Sequence, residues 1–212
     1  MFAMGPLLLA KGVGAAPPVA VTWNPADTNA NLTLSGGNLV ITRGAASQST
    51  WFSSRANTGR SAGKRVFANT NTTVTASNDG LMTGLMTILD ALTTFPGQNA
   101  DSYGMHSING RCYNNNTQVG TDFSPGFSTG DVILFAVDFA AGLIWVGGIK
   151  SGTATWSGNP AAGTGARFTF TAGATLYPAC GQYRQPQVST ANFKPSTITG
   201  IAGVMPSGFS DW

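Results

Sequence analysis

The side chains that could carry chemistry in this 212-residue chain are few: eight carboxylates, one histidine and two cysteines. Every carboxylate is an aspartate, and the chain has no glutamate. Glycoside hydrolysis usually needs two facing carboxylates. These aspartates lie singly, mostly at turns and strand ends. Asp131 and Asp138 bracket one expected strand, whose length holds them over ~20 Å apart. His106 is near Cys112, with Asp101 and Asp122 in the neighbourhood, so a Cys–His–Asp site can be drawn. Nothing in the sequence marks Cys112 as an activated thiolate, and a solitary histidine in an Asn-rich loop reads as structural. Asp79, Asp101 and Asp122 lack the D-x-D spacing of a calcium loop. Cys112 and Cys180 match no metal-ligand spacing and are either one long-range disulfide or two buried thiols. Gly12-Val13-Gly14 lacks the lysine and helix of a phosphate loop. The expectation is no catalytic residue, no metal and no cofactor.

Binding chemistry is better represented. The stretches Thr93–Tyr103 and Asn109–Gly120 hold Phe95, Tyr103, Tyr113 and the run Asn114-Asn115-Asn116. Aromatic faces beside amides suit sugar rings and their hydroxyls, and suit protein contacts equally. The alternative is a polar loop whose aromatics cap the fold. A second candidate is basic: between Asp27 and Asp79 no acid occurs, while Arg43, Arg55, Arg60, Lys64 and Arg65 all do. This interval reads as an anion-facing partner patch, or as cations that blunt sheet edges. Trp23, Trp51, Trp145 and Trp156 read as packing residues. Phe209 and Trp212 must pack on a neighbour or back on their own sheet.

The elements that position these residues are strands. Charged residues make up 9% of the chain and glycine fills 28 positions, whereas average domains carry about 25% charge. Thr and Asn are dense throughout, and Glu, a good helix former, is missing. With 42% hydrophobic residues the chain can bury a core, as one β-rich domain. Leu32–Leu34, a Ser35-Gly36-Gly37-Asn38 turn and Leu39–Thr42 read as strand, turn, strand. Asp131–Val137 and Leu143–Val146, joined by Ala140-Ala141-Gly142, read as a hairpin. Leu81, Met82, Leu85, Met86, Ile88, Leu89 and Leu92 have helical spacing. The net charge is +3 with no Lys/Arg run, which argues against nucleic acid. No apolar run approaches the ~20 residues of a membrane span.

The first twenty residues stand apart. Met1, Phe2, Met4, Leu7, Leu8 and Leu9 are apolar, Pro6 interrupts them, and Lys11 follows rather than precedes them. A secretory signal has the opposite charge order. Residues 1–20 read as an extended docking arm, the alternative being an extra strand and linker folded back on its own domain, and 21–212 as the domain.

From Trp23 to Trp212 the residues also carry a resemblance. Trp23-Asn24-Pro25-Ala26-Asp27 followed by Asn31–Leu39 resembles the opening of bacterial and phage SPRY domains. Ser61–Phe67 is similar to that family's "SGK" step into an aromatic strand. Gly130–Ile133, Val137-Asp138 and Leu143–Trp145 are similar to its central hairpin. Asn159–Gly165, Leu176–Ala179, Thr190–Phe193 and Met205–Phe209 resemble its final third. The resemblance implies an all-β fold: a two-sheet antiparallel sandwich, a SPRY/concanavalin-like jelly roll whose loops present a binding surface. It also places a central strand at Gly80–Ile88 and a long loop at Leu89–Gly104. A strand buried on both faces reads as an apolar run, so strand is the expectation there.

Low charge, few acids and this resemblance together point to binding and assembly. The expected function is a non-enzymatic phage virion protein: a tail-fibre, spike or head-decoration element. Its expected partners are other virion proteins through the arm, a host-surface glycan or protein, and further copies in a homo-oligomer or larger assembly. Its expected location is the particle surface. The alternative is a secreted or surface-attached bacterial carbohydrate- or protein-binding module.

Overall fold

Threonine, β-branched and aromatic residues recur at alternate positions along the chain, separated by Gly and Asn turns, and each such run forms a strand. The computed structural model describes residues 19–44, 49–74, 80–121, 123, 125–184 and 187–212. The strands among them, in chain order, begin with β1 (Trp23–Thr28), β2 (Leu32–Ser35), β3 (Val40–Arg43), β4 (Phe52–Ala56) and β5 (Lys64–Thr73). They continue with β6 (Leu81–Met86), β7 (Tyr103–His106), β8 (Cys112–Asn114), β9 (Thr117–Gln118) and β10 (Val132–Asp138). The series closes with β11 (Leu143–Lys150), β12 (Thr153–Trp156), β13 (Phe168–Thr169), β14 (Tyr177–Gln182), β15 (Val188–Asn192) and β16 (Ser210–Asp211). The one helical turn among the described residues is Pro195–Thr197.

Two sheets form a sandwich. The first has the order β1-β4-β14-β6-β7-β8-β9; the second runs β12-β11-β10-β5-β15-β3-β2, with β13 on β11 and β16 on β5. Pairing is antiparallel except for the short parallel join of β16 to β5. The expected hairpin is β10 and β11, in register from Val132 with Ile149 to Asp138 with Leu143. The expected central strand is β6, every residue of it buried. Its helical spacing is the imprint of burial on both faces.

The inner faces supply the core. Trp23, Ile41, Phe67, Leu85, Phe135, Phe139 and Ile144 are fully buried there. Trp23 meets Phe193 edge-on at 5.2 Å, and Phe67 stacks on Phe135 at 5.5 Å. The second sheet is covered outside as well. Val66, Ala136 and Trp145 lie beneath Met205 and Phe209, and Ala68, Leu134 and Ile149 pack with Val204, Ile198 and Ile201. Trp212 folds back into the core against Phe67 and Phe139, with ring centroids 5.6 and 5.8 Å away. Phe209 and Trp212 therefore pack on their own sandwich. One buried polar seam crosses between the sheets: Asn69 Nδ2 donates to Thr83 Oγ1 at 2.8 Å, and Cys180 Sγ lies 3.4 Å from Ser189 Oγ.

Candidate functional site

Register decides which residues of the first sheet face outward. Pairing sets Ser53, Gly181, Met82 and His106 in one outward row, and Arg55, Ala179, Gly84, Gly104 and Tyr113 in the next. Their strand neighbours Phe52, Cys180, Leu85, Tyr103, Met105 and Cys112 point into the core, as period-two alternation requires.

The long β6–β7 connection, residues 87–102, lies down on this outward face, and glycines let it. A Cβ on Gly104 would stand 1.8 Å from the Pro96 carbonyl oxygen, one on Gly84 2.9 Å from Pro96 Cβ, and one on Gly181 3.1 Å from Pro96 Cδ. The loop is tied to β4, where Ser53 N donates to the Leu92 carbonyl at 2.9 Å and Ser53 Oγ to that of Thr94 at 2.5 Å. It is also tied to itself: Asp90 accepts from Thr87 N at 2.7 Å and from Asn99 Nδ2 at 2.5 Å.

Beside Pro96, the Phe95 ring forms the wall of a cleft of about 330 Å³. Trp51, Tyr183, Met82 and His106 line its floor, Tyr113 closes another side, and Asn109 and Asn116 reach its rim. Trp51 is the hub. Its ring centroid lies 5.0 Å from Phe95, 5.1 Å from Tyr183 and 6.2 Å from His106. Phe95 meets Tyr113 edge-on at 6.3 Å. His106 Nδ1 lies 3.0 Å from Asn109 Oδ1. Burial, with a smaller contribution from the Arg111 charge, holds its imidazole below the usual pKa of 6.5 although the Asn109 bond works the other way.

Phe95, Tyr113 and Asn116 thus come together in the cleft. Tyr103 does not: its ring lies in the core against Phe168 at 5.5 Å, and desolvation pushes its phenol up to about 12. Asn114 Nδ2 donates to the carbonyls of Ala100 and Ser102 at 2.7 and 2.8 Å, tying the two loops together. Asn115 and Asn116 are the turn of the β8–β9 hairpin, both at positive φ, a conformation asparagine tolerates well.

The basic interval is built into the fold. Arg43 is buried, donating to the Thr50 and Gln182 carbonyls with its guanidinium over the Phe52 ring. Arg55 is buried in an ion pair with Asp27 at 2.7 Å. Arg60 donates to the Trp212 carbonyl at 3.0 Å, and Arg65 to that of Asp211 at 3.1 Å. Lys64 pairs with Asp138 at 2.9 Å. As an anion-facing patch, the interval is corrected by burial at Arg43 and Arg55 and by these internal contacts at the rest.

Sequence spacing brings His106 and Cys112 close, but alternation sends them to opposite faces of the sheet. Cys112 and Cys180 are buried free thiols, and desolvation pushes the Cys180 thiol up to about 11. Asp79 and Asp122, and Met1, Phe2, Met4, Leu7, Leu8 and Leu9 of the expected arm, lie outside the described residues. Among the described residues no group of three or more His, Cys or Asp side chains could hold a metal.

A larger cavity of about 620 Å³ opens between Phe127, Asp131 and Lys150. Its charges are already engaged: Lys150 donates to the Pro125 carbonyl, and Asp131 accepts from Ser128 N at 2.8 Å. The aromatic cleft is the stronger site.

Solved structures share this architecture. The SPRY domain of human HERC1 aligns with a TM-score of 0.62 at 18% identity, over 80% of this chain and 96% of that one. The TRIM65 PSpry domain aligns at 0.60 and 13% identity, over 81% and 91%. Stonustoxin aligns at 0.55 and 15% identity, over 81% of this chain and 27% of its own. The fold is a SPRY-type β-sandwich. No family model and no curated protein matches the chain.

Proposed function

We propose that this sandwich is a non-enzymatic recognition domain that holds its ligand in the Trp51 cleft. One observation carries the reading: Trp51, Phe95, Tyr113 and Tyr183 converge on the outer face of a sheet whose inner face already supplies the core. Four half-buried rings in that position do no core packing, and rings with amides at their rim are what a recognition surface uses. The carboxylates support it too, since Asp27, Asp138 and Asp211 are held by Arg55, Lys64 and Ser196, and Asp90 by its own loop. Binding of the full chain to an array of glycans and surface proteins, beside Trp51→Ala, tests the reading. A ligand lost in the variant supports it; binding unaltered by the change overturns it.

We further propose that the domain serves on a phage particle as a tail-fibre, spike or head-decoration element docked through residues 1–20. Support comes from the sequence: its charge-poor, Gly/Thr/Asn-rich texture, its likeness to phage SPRY domains, and the apolar Met1–Leu9 stretch. Deleting residues 1–20 should abolish incorporation into particles and leave the sandwich folded. Incorporation of the truncated chain would overturn the docking role. A secreted or surface-attached bacterial binding module is the reading left if the full chain never joins a particle.

A further inference from the structure

We propose that copies of this chain join through Ile88 and Leu89 of one copy, which enter the apolar pocket between Leu39, Phe193 and Trp212 of the next. The contact is separate from the Trp51 cleft and goes beyond the recognition reading.

The first ground is a turn built to display two aliphatic side chains. Ile88 and Leu89 are 56% and 91% exposed, and with Val19 they are the exposed large hydrophobics among the described residues. They occupy the middle of the turn Thr87–Asp90, closed by the bond from Asp90 N to the Thr87 carbonyl at 3.4 Å. Gly, Pro, Asn, Asp and Ser dominate such positions, so local chemistry does not call for Ile-Leu. The fold nevertheless fastens this turn from beneath. The Asp90 carboxylate accepts from Thr87 N and Oγ1 at 2.7 and 3.1 Å. Arg55 Nη1 donates to the Thr87 and Asp90 carbonyls at 3.0 and 2.5 Å, anchored in its turn on Asp27. A buried network thus fixes the backbone under two side chains that face water. An anchor already held in its bound shape loses little entropy on docking.

The second ground is a pocket of matching character. A volume of about 430 Å³ opens beside the start of β1, walled by Val21, Leu39, Phe193 and Trp212, with room for both side chains. β6 lies three strands from β1 in its sheet, about 14 Å away, and the Arg55 network holds the turn where it is. A copy therefore cannot fill its own pocket with this turn. Charge is the third ground. Lys194 is exposed and lines the pocket, while the pocket's Asp211 has both carboxylate oxygens engaged by Ser196 at 3.0 and 2.6 Å. Asp101, also exposed, lines one small cavity with Thr87 at the foot of the turn. Docking sets this acidic flank against the Lys194 rim, which selects partner and orientation more than it adds affinity. A knob-to-pocket contact is heterologous, so copies close in a ring or run on as a chain. Two side chains bury less than a stable interface needs, so the contact is weak between free copies and gains when several are held together.

Sedimentation velocity of the full chain, from about 10 μM to about 1 mM, tests this. The expected result is association that grows over that range. Leu89→Asp should weaken it about tenfold or more, the loss for leaving one leucine in water. Thr197→Trp, at an exposed position lining the pocket, should weaken it as much by filling the seat. Mixing is decisive: each variant alone should stay monomeric, while the Leu89→Asp copy, its pocket open, should pair with the Thr197→Trp copy. Lys194→Glu, a second probe of the pocket, should weaken association up to about fivefold, the scale of a rim ion pair, and Asp101→Lys in the same chain should restore it. A full chain that stays monomeric at the highest concentration overturns the proposal. So does association that survives both Leu89→Asp and Thr197→Trp, since another face or residues 1–18 would then carry it, and so does a mixture that fails to pair. Trp51→Ala should leave association unchanged, so the contact and the recognition reading fail separately; association lost in that variant would move the seat to the cleft and overturn the proposal.

Discussion

Arg55→Met is the most informative single change. Arg55 Nε and Nη2 donate to Asp27 Oδ2 and Oδ1, both at 2.7 Å. Its Nη1 donates to the Thr87 carbonyl at 3.0 Å and the Asp90 carbonyl at 2.5 Å. One buried guanidinium therefore joins β1 to β4 and fastens both to the start of the loop that walls the cleft. Methionine keeps the apolar stem and removes all four contacts. Asp27, whose side chain is 15% exposed, is left as an uncompensated charge, and two carbonyls lose their donor. Breaking a buried pair from one side costs about 3–5 kcal/mol. At roughly 2–4 °C per kcal/mol for a domain of this size, the melting temperature should fall by about 6–20 °C. Scanning calorimetry at neutral pH measures it, and the loss should persist in high salt because buried pairs are little screened. Asp27→Leu combined with Arg55→Met should recover at least half of it, since no lone charge remains. A single-variant loss below about 1 kcal/mol, the scale of a surface bridge, would refute the reasoning. So would a double variant as unstable as the single one.

Gly104→Ala should push Pro96 off the sheet, because the new Cβ would sit 1.8 Å from its carbonyl oxygen. A cost of about 1–3 kcal/mol and an altered tryptophan emission, as Phe95 leaves Trp51, are the expected readouts. Trp212→Ala should cost about 3–5 kcal/mol by opening a cavity beside Phe67 and Phe139, measured by denaturant unfolding. His106 should make stability fall as pH drops below 6.5. Its folded pKa is held below that unfolded value, so in the window between the two the unfolded chain takes up the proton first. His106→Gln should flatten that slope of melting temperature against pH between 7.5 and 5.5, and because the chain has one histidine its proton resonances can be followed directly.

The fold was legible where local chemistry and packing agree. The β10–β11 hairpin follows from two apolar runs joined by the Ala140-Ala141-Gly142 turn, whereas at β6 the periodicity of the residues alone reads as a helix and only the family resemblance pointed to the strand, which burial on both faces explains. The cleft was half legible. Phe95, Tyr113 and Asn116 sit in turn-rich stretches that advertise a surface. Trp51, Tyr183, Met82 and His106 come from four separate strands or strand ends, and only register brings them side by side. The alternation of Trp51 with the core residue Phe52 was the available signal that Trp51 faces the other way. Tyr103 shows the converse, since one step of parity turns it from surface to core. The basic interval was misleading for the same reason. Arg55 finds Asp27 28 residues away, and Arg43 finds the Gln182 carbonyl 139 residues away. Charge counted along a chain does not say which charges topology will enclose.

Trp212 closes a contact with Thr58 across 154 residues, through its Nε1 and the Thr58 carbonyl 2.9 Å away, while β16 joins the long strand β5. Early residues thus wait for late ones. A nascent chain that has emerged through β15 holds every ladder of the first sheet yet still lacks the aromatic plug of the core and the cover over Trp145. Closure must follow translation of the final segment. Long loops must be closed before such contacts reward them, which places folding in the millisecond-to-second class rather than the microsecond one.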